Sequence, residues 1–300
     1  MRLPATAMAD RSVRGANTST RLPRQHPSSV SPVRARRFED VWPLVSKIDG
    51  WLSREQAQAL YAAAMTVRPD CWIVEIGSHH GRSTAAQAMG KEKSVPMLAI
   101  DPFPERRGGG ESAFTAFRRN LRDLGLEDEV QLFRGTSEEA ARSVHLLFEV
   151  AGEEASHGTA GAAGERPGVQ EGRVGPGIGL LFIDGLHDRN SVLEDIDAWE
   201  PEVAEGGLVF FHDAFFRLGV TLALLQRHLF NSRFRYLGSV SNMAMFRRVE
   251  IVGDRAAFRD TLALLGRLRY LARNMLTALG LRCNSKLILG LVPPEDDFEY

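Results

Sequence analysis

Short apolar runs alternate with longer amphipathic segments through most of this 300-residue chain, and this alternation limits the fold more than any other feature. The first run, IVEI at 73–76, is β-branched and is followed by glycines and an alanine-rich segment, a pattern typical of strand, turn and helix. Four similar units follow along the chain. Because parallel strands joined by helices form sheets covered on both faces, we predict an α/β fold with a doubly wound, mostly parallel sheet.

The segments before and after these units predict where the sheet domain begins and ends. Within 48–67, Ser53 and Gln56 three residues later form a capping-box pattern, which predicts a helix with Ser53 as its N-cap. Within the units, the helix between the fourth and fifth strands is predicted over 191–204. Two final strands, FRYLGSV and AMFRRVE, are separated by a turn containing Ser241 and Asn242, which predicts a closing antiparallel hairpin. We therefore place the domain at 38–250.

Two segments do not fit the alternating pattern. Residues 1–37 hold eight Arg and a single acid, Asp10, and have no apolar block of the kind found in secretory signals. We expect a disordered basic arm or a start assigned too early, with an organelle transit peptide as the alternative. Residues 151–179 are rich in Gly, Ala and Glu, and we expect a flexible insertion there, without an assigned function.

The C-terminal region, 251–300, is expected to be a helical extension. Residues 255–286 carry seven basic residues and one acid. Their apolar positions recur at steps of three and four, which predicts one amphipathic helix. We expect it to dock on its own domain or on a second copy, with contact to a membrane surface as the alternative. The recurring positions are Leu264, Leu268, Leu271, Met275 and Leu279.

The overall charge excludes some classes of partner. The arm carries about +7, and since the whole chain carries −1, the remainder carries about −8, which argues against a nucleic-acid groove. The two cysteines, Cys71 and Cys283, are too few for a disulfide framework and fit a reducing cytoplasm. No apolar run is long enough to predict a transmembrane helix.

Polar residues and glycines follow each predicted parallel strand. Since the carboxyl ends of parallel strands lie at one edge of the sheet, this distribution predicts a ligand site there. The residues concerned are Glu75 and Gly77 after the first strand, Asp101 after the second, Gly135, Thr136 and Ser137 after the third, Asp184 and His187 after the fourth, and His212 and Asp213 after the fifth.

The glycine turn favours one type of cofactor over another. Asp101, about twenty residues past the turn, suits a bidentate bond to ribose hydroxyls, although it could instead cap the turn before Pro102. The spacing Glu75-x-Gly77-x-x-x-Gly81 departs from the dinucleotide pattern G-x-G-x-x-G. Glu75 would repel a pyrophosphate but would suit a cationic amino-acid ligand. We therefore predict S-adenosylmethionine, with an NAD-dependent oxidoreductase or a catalytically silent binding module as alternatives.

Several motifs resemble those of class I S-adenosylmethionine-dependent O-methyltransferases. In order and spacing they are VEIGSHHGRST, AIDPF, LLFIDGLHDRNSVLEDIDAW and EGGLVFFHD, and they cover about residues 45–250. The chain is most similar to the subgroup found with sugar and natural-product pathways, which includes macrolide-sugar O-methyltransferases. The resemblance implies a seven-stranded sheet of order 3-2-1-4-5-7-6. It also implies cofactor contacts at Glu75, Gly77, Ser78, Gly81, Ser83, Asp101, Asp184 and, near the adenine, Gly135, Thr136 and Ser137.

The resemblance further implies residues for the reaction. Some relatives hold a divalent cation between carboxylates from the fourth and fifth strands, which Asp184 and Asp213 match. His212 stands where such relatives tend to carry a second acid, and this departure favours manganese, iron or zinc over magnesium, or no metal. His187 matches a proposed general base, whereas His79 and His80 are expected only to line the cofactor site.

The implied function is methylation of a hydroxyl on a small molecule, with a sugar or glycosylated metabolite as the acceptor. No nucleic-acid partner is expected. Homo-oligomerisation is left open, and so is the identity of the acceptor.

Overall fold

The computed structural model describes residues 37–104, 111–143 and 177–278. The strands are β1 (Trp72–Ile76), β2 (Met97–Ile100), β3 (Gln131–Phe133), β4 (Ile178–Ile183), β5 (Val203–Phe211), β6 (Phe234–Val240) and β7 (Met243–Arg248). The helices are α1 (Phe38–Val45), α2 (Arg54–Ala64), α3 (Arg82–Gly90), α4 (Ala113–Asp123), α5 (beginning at 137 and described as far as 143), α6 (Arg189–Trp199), α7 (Leu218–His228), α8 (Asp254–Gly266) and α9 (Leu268–Ala278).

All seven strands form one sheet in the order β3-β2-β1-β4-β5-β7-β6. The pairs among β1 to β5 are parallel, whereas β7 is antiparallel to both β5 and β6. The predicted doubly wound sheet and its strand order are therefore confirmed. The two-residue turn of the predicted hairpin is also present, with Ser241 in a left-handed conformation at φ 53°.

The sheet separates two apolar cores. Alternate residues of a strand point to opposite faces, so Ile73 packs with α1, α2 and α3, while Trp72 and Val74 pack with α6 and α7. Every residue of β1 is buried because the strand lies between β2 and β4 and both faces are covered. Glu75 is therefore placed inside the protein, on the same face as Ile73.

The helix before β1 begins as its sequence predicts. The Ser53 side chain accepts a hydrogen bond from Gln56 N, and the Gln56 side chain accepts one from Ser53 N, which completes the capping box. The apolar residues that share one face of this helix are all buried. They are Ala57, Leu60, Tyr61 and Ala64.

The predicted helix over 191–204 is wrong at both ends. The helix α6 begins earlier because Asp188 is its N-cap and accepts from the backbone N–H groups of Asn190 and Ser191. It ends at Trp199 and is followed by a short 3₁₀ turn over 200–202. Pro201 has no N–H to continue the helix, and Val203 already pairs with β4.

The single C-terminal helix predicted over 255–286 is also wrong, since the described part forms α8 and α9 with a break at Arg267. The break follows Gly266, a weak helix former, and the Arg267 guanidinium lies over the ring of Tyr270 at 4.5 Å. Helix α8 packs on its own domain through buried Leu264, with an ion pair between Asp260 and Arg235 of β6.

Three of the predicted segments lie wholly or partly outside the described residues. They are the arm as far as residue 36, nearly all of the predicted insertion, and the extension from residue 279. Among the helices that the structure describes, none is long and apolar enough to cross a membrane.

Candidate active site

A cavity of about 740 Å³ opens at the carboxyl edge of the sheet, where the loops after β1, β2, β3 and β4 converge. This is the edge where ligands bind in open α/β sheets. The structure brings most of the predicted site residues together on its wall. Those residues are Gly77, Ser78, Ser83, Asp101, Gly135, Thr136, Ser137, Asp184 and His187, with His79 and His80 beside them. The other four, Glu75, Gly81, His212 and Asp213, are not on this wall.

The glycine turn after β1 requires its glycines for close packing. Gly77 has φ 87°, and a Cβ there would lie 2.1 Å from the backbone oxygen of Asp184. Gly81 also has φ 87° and is the left-handed N-cap of α3. These conformations are costly for other residues, so the turn lies directly against the end of β4.

Asp101 anchors this turn through backbone hydrogen bonds. Its Oδ2 accepts from Ser78 N at 2.9 Å and His79 N at 2.8 Å, and its Oδ1 accepts from Phe103 N at 2.6 Å. The alternative role of Asp101, capping the turn before Pro102, is therefore present in the structure. The carboxylate still lies on the cavity wall, so its contact with ribose hydroxyls stays a prediction.

Glu75 lies beneath the turn and is fully buried. Its carboxylate accepts hydrogen bonds from Ser78 Oγ at 3.1 Å, from Thr84 Oγ1, and from Gln87 Nε2 at 3.0 Å. Burial raises the pKa of Glu75 to about 7, although the surrounding hydroxyl donors act in the opposite direction. The described bonds of Glu75 therefore fix α3 to β1, and Ser78 links it to the cavity wall.

The loop at 135–137 is held by two elements. Thr136 and Glu139 form a capping box at the start of α5, with Thr136 N donating to Glu139 Oε2 at 2.9 Å. From α6, Asp195 accepts from Ser137 Oγ, and Trp199 Nε1 donates to Ser137 O at 3.3 Å. The sequence analysis did not single out Asp195 or Trp199. Their spacing of four, on one face of a helix, was the signal available.

Behind the loop after β4, two acids and two imidazoles form a compact group that we call the acid–histidine cluster: Asp184, His187, His212 and Asp213. His187 Nε2 lies 3.5 Å from Asp184 Oδ1 and 3.4 Å from Asp213 Oδ2. His212 Nδ1 lies 3.1 Å from Asp184 Oδ1 and 3.7 Å from Asp213 Oδ1. Asp213 is held in a left-handed conformation at φ 54°.

The charges of the acid–histidine cluster stabilise one another. Burial alone would lower the pKa of His212, but the carboxylates of Asp184 and then Asp213 raise it to about 9. Burial likewise opposes ionisation of Asp184, yet His212 and His187 hold its pKa below the usual range. His212 is therefore a buried cation at neutral pH, and Asp184 is an anion.

Three residues that the sequence analysis did not assign to the site connect to the cluster, and one of them is Arg217, whose Nε donates to Asp213 Oδ2 at 3.5 Å. Asn242, in the hairpin turn, donates from Nδ2 to Asp213 Oδ1 at 2.6 Å. Gln56, the capping-box residue of α2, donates from Nε2 to Asn242 Oδ1. Gln56 is 1% exposed. This chain of bonds joins the first helices to Asp213, and no local pattern could reveal it because the partners are far apart in sequence.

The predicted metal site, Asp184 with His212 and Asp213, is not supported by this arrangement. Among the residues that the structure describes, no group of three or more His, Cys, Asp and Glu side chains could hold a metal ion. Asp213 Oδ1 already accepts from Asn242.

The cavity wall suits a cationic ligand better than a pyrophosphate. Six carboxylates lie on the described wall, and Arg82 is the one Arg or Lys there. Arg82 is already engaged, since its guanidinium donates to Gly50 O. Opposite charge attracts and like charge repels over these distances. The wall thus fits the sulfonium and ammonium groups expected of S-adenosylmethionine. The six acids are Asp49, Asp101, Glu138, Asp184, Glu194 and Asp195.

Comparison with known proteins gives a family match for the central part of the chain. Residues 74–214 match a family model described as a methyltransferase domain. This segment contains the end of β1, the whole of β2 to β5 and all the predicted cofactor, catalytic and metal residues. The match therefore covers the acid–histidine cluster and most of the cavity wall, but not the wall residues at 49–52.

Solved structures show weaker likenesses. CalS11, a TDP-rhamnose 3′-O-methyltransferase of calicheamicin biosynthesis, has 18% identity and a TM-score of 0.45 over 73% of this chain and 88% of that one. TomG, an O-methyltransferase from Streptomyces achromogenes, has 14% identity and a TM-score of 0.42 over 73% of this chain and 91% of its own. An O-methyltransferase from Bacillus cereus has 13% identity and a TM-score of 0.43 over 73% of this chain and 93% of its own. The strand order establishes the fold independently of these likenesses, which carry no argument about the reaction.

Proposed function

We propose that the methyltransferase domain of this chain is of class I, uses S-adenosylmethionine and transfers a methyl group to a hydroxyl oxygen of a small molecule. One observation carries this proposal. His187 lies on the wall of the cofactor-sized cavity, with its Nε2 within 3.5 Å of two carboxylates. A neutral imidazole in that position can accept the proton that a hydroxyl loses on methylation.

The neighbouring groups assist this role by electrostatics. Proton transfer makes His187 a cation, and Asp184 and Asp213 stabilise a positive charge at this point. The buried His212 cation balances part of the charge of the same two carboxylates, so they can remain ionised inside the protein. Asn242 orients Asp213. His187 is therefore the proposed base, Asp184 and Asp213 orient and stabilise it, and His212 keeps the pair of acids charged.

The cofactor is proposed to bind along the glycine turn. When bound, S-adenosylmethionine supplies a methyl group on a sulfonium, so the protein needs mainly to align the acceptor and remove a proton. Asp101, Ser78 and Ser83 lie on this part of the wall. The loop at 135–137 is proposed to surround the adenine. Glu75 is proposed to act from below, by fixing α3 and orienting Ser78.

An aromatic shelf at the cavity mouth supports a small-molecule acceptor with a ring. We define the shelf as Trp51, His79 and His80. The rings of Trp51 and His79 are 5.4 Å apart, and those of His79 and His80 are stacked at 3.7 Å. Trp51 is 77% exposed, which is unusual for so large an apolar side chain. Aromatic faces of this kind contact the rings of small ligands. We propose a sugar or glycosylated metabolite as the acceptor.

We propose that the reaction proceeds without a metal, because protonated His212 already supplies a positive charge beside Asp184 and Asp213. We also propose a cytoplasmic location. The described cysteine, Cys71, is a buried free thiol, and a reducing compartment suits such a thiol.

The proposed function can be tested with the purified full-length chain. Calorimetry should detect binding of S-adenosylhomocysteine and not of NAD, because the cavity wall is acidic. A panel of sugars, glycosides and phenols is then incubated with labelled S-adenosylmethionine, with and without EDTA. Transfer of label to a hydroxyl, unchanged by EDTA, supports the proposal. NAD binding in place of S-adenosylhomocysteine would overturn it, and EDTA-sensitive transfer would overturn only its metal-free form.

A further inference from the structure

Helix α8 carries large apolar residues on two opposite faces. Its inner face packs on the domain through buried Leu264. Three further apolar residues, Phe258, Leu262 and Leu265, are exposed, and the first two are more than half exposed. Steps of four and three place these three in one line along the helix, which we call the outer stripe. The outward face of a surface helix normally carries polar side chains, so packing on its own domain does not account for the outer stripe.

A residue with a strained backbone lies beside the outer stripe. Phe230, which follows α7, has φ 56° and is 66% exposed. This conformation is costly for a bulky side chain, and strain of this kind is most common at functional surfaces. The conformation is held by a hydrogen bond from Phe230 N to Thr261 Oγ1 at 2.9 Å. Thr261 lies one helical turn from both Phe258 and Leu265. The exposed Phe230 therefore enlarges the apolar surface of α8.

The charges around the outer stripe are mainly positive. Arg255 and Arg259 are exposed, and each lies three residues before an apolar residue of the stripe, so both flank it. The acids of α8 are Asp254, at its first residue, and Asp260, which pairs with Arg235 of β6. The two C-terminal helices, with the residue that joins them, hold five Arg and two acids, whereas the chain after the arm carries about −8 overall. Positive charge is thus concentrated where the apolar surface is exposed.

We propose that the outer stripe and Phe230 dock on an anionic membrane surface. A helix that lies in the membrane interface places apolar side chains at the boundary between headgroups and acyl chains, with basic residues beside them. Anionic headgroups complement the two flanking arginines. A second copy of the chain is a poorer occupant, because pairing two outer stripes about a two-fold axis would bring the arginines of both copies together. The inference does not depend on the reaction proposed above.

The experiment measures co-sedimentation of the purified full-length chain with sucrose-loaded vesicles. One set of vesicles is phosphatidylcholine alone, and the other contains about 30% phosphatidylserine. The wild-type chain should bind the anionic vesicles at least about 10-fold more tightly than the neutral ones, since each arginine near an anionic surface adds to the affinity. Raising the NaCl concentration to about 0.5 M should weaken this binding, because salt screens the attraction.

Variants of the outer stripe then test which residues make the contact. Phe258→Ser with Leu262→Ser should weaken binding to the anionic vesicles at least about 10-fold, since two apolar side chains no longer leave water. Arg255→Gln with Arg259→Gln should weaken it about 10-fold as well. All four side chains are exposed, so the melting temperature should stay near that of wild type. Met65→Ser is the matched control: Met65 is half exposed and follows α2, on the other face of the sheet, so binding should be unchanged.

The outcomes separate the outer stripe from the other basic segment and from other occupants. The arm at 1–37 can also attract anionic lipids, but it is intact in every variant. No binding to the anionic vesicles, or equal binding by wild type and both double variants, overturns the inference. Equally tight binding to neutral vesicles overturns the anionic partner. If light scattering shows a wild-type dimer that Phe258→Ser with Leu262→Ser dissociates, the stripe is an interface between copies and the inference is wrong.

Discussion

Two groups of buried or half-buried acids lie at the carboxyl edge of the same sheet, and their partners differ. Glu75 and Asp101, beside the glycine turn, accept hydrogen bonds from hydroxyl, amide and backbone donors at both carboxylate oxygens. Asp184 and Asp213 lie instead against two imidazoles, and neither ring nitrogen of His212 has a hydrogen bond of good geometry among the described residues. Neutral donors hold a carboxylate in place, whereas an imidazole can also exchange a proton. The first group suits ligand binding, and the second suits chemistry.

The largest effect should come from removing the imidazole of His187, which lies against the two acids of the second group. We expect His187→Ala to lower the rate of methyl transfer by about 10²–10⁴-fold, the usual contribution of a general base. The affinity for S-adenosylhomocysteine should stay the same because the glycine turn is untouched. The measurement is the initial rate with an acceptor found in the panel, together with calorimetry for the ligand.

A matched control for His187 lies two residues further on. Arg189 is exposed and bonds to Gln226, away from the cavity, so Arg189→Ala should leave the rate unchanged. Near-normal turnover of His187→Ala would show that His187 is not the base. The proposed division between a ligand-binding group of acids and a chemical group would then fail.

Glu75 in the first group and His212 beside the second should also change the free energy of unfolding in different pH ranges. The pKa of Glu75 is raised from 4.5 to about 7, so its folded form favours the proton. The associated stability is complete below pH 4.5 and is lost as the pH rises through 7. The pKa of His212 is raised from 6.5 to about 9, so its contribution is complete below pH 6.5 and is lost through pH 9. Each loss amounts to about 3 kcal/mol by linkage.

Urea unfolding between pH 5 and pH 9 measures these losses. Glu75→Gln, which mimics the protonated acid, should gain stability relative to wild type mainly between pH 5 and pH 7. His212→Gln should be less stable than wild type at pH 6.5, and the deficit should shrink toward pH 9. If the free energy of unfolding changes with pH in both variants as it does in wild type, the pKa values of Glu75 and His212 are not raised.

A smaller loss is expected at Asp101. Asp101→Ala leaves three backbone N–H groups without an acceptor, each of which the turn needs. We expect a loss of about 1–3 kcal/mol in the binding of S-adenosylhomocysteine, measured by calorimetry, and a lower melting temperature. Asp101→Asn keeps an oxygen for part of this network, so its affinity for S-adenosylhomocysteine should lie between those of wild type and Asp101→Ala. Unchanged affinity in Asp101→Ala would exclude Asp101 from the binding site.

The smallest effect should follow from loosening the connection between the first helices and the cluster. Asn242→Ala removes the amide that donates to Asp213. We expect about a 10-fold lower rate, since one hydrogen bond to a charged group contributes about 1.5–3 kcal/mol and part of it is replaced by water. The pH dependence of the rate should also shift, because Asp213 is then free to rotate. An unchanged pH profile would reduce Asn242 to a structural turn residue.

Much of the fold follows from local patterns. The strand order, the capping box at Ser53 and the closing hairpin appear in the structure as the sequence predicts. The errors occur where local and tertiary preferences compete. Helical periodicity continues past Trp199, but Pro201 and the pairing of Val203 with β4 end the helix. The C-terminal periodicity likewise continues past Gly266, yet Arg267 turns inward onto Tyr270.

The sequence by itself determined which residues lie at the carboxyl edge of the sheet, because strand polarity and alternation depend on neighbours along the chain. Only the tertiary structure decided which of those residues support the glycine turn, which line the cavity and which form the acid–histidine cluster. Glu75 is placed beneath the turn, Asp195 on the cavity wall, and Asn242 against Asp213. These contacts join residues that the sequence separates widely, and the packing of whole helices and strands fixes their geometry.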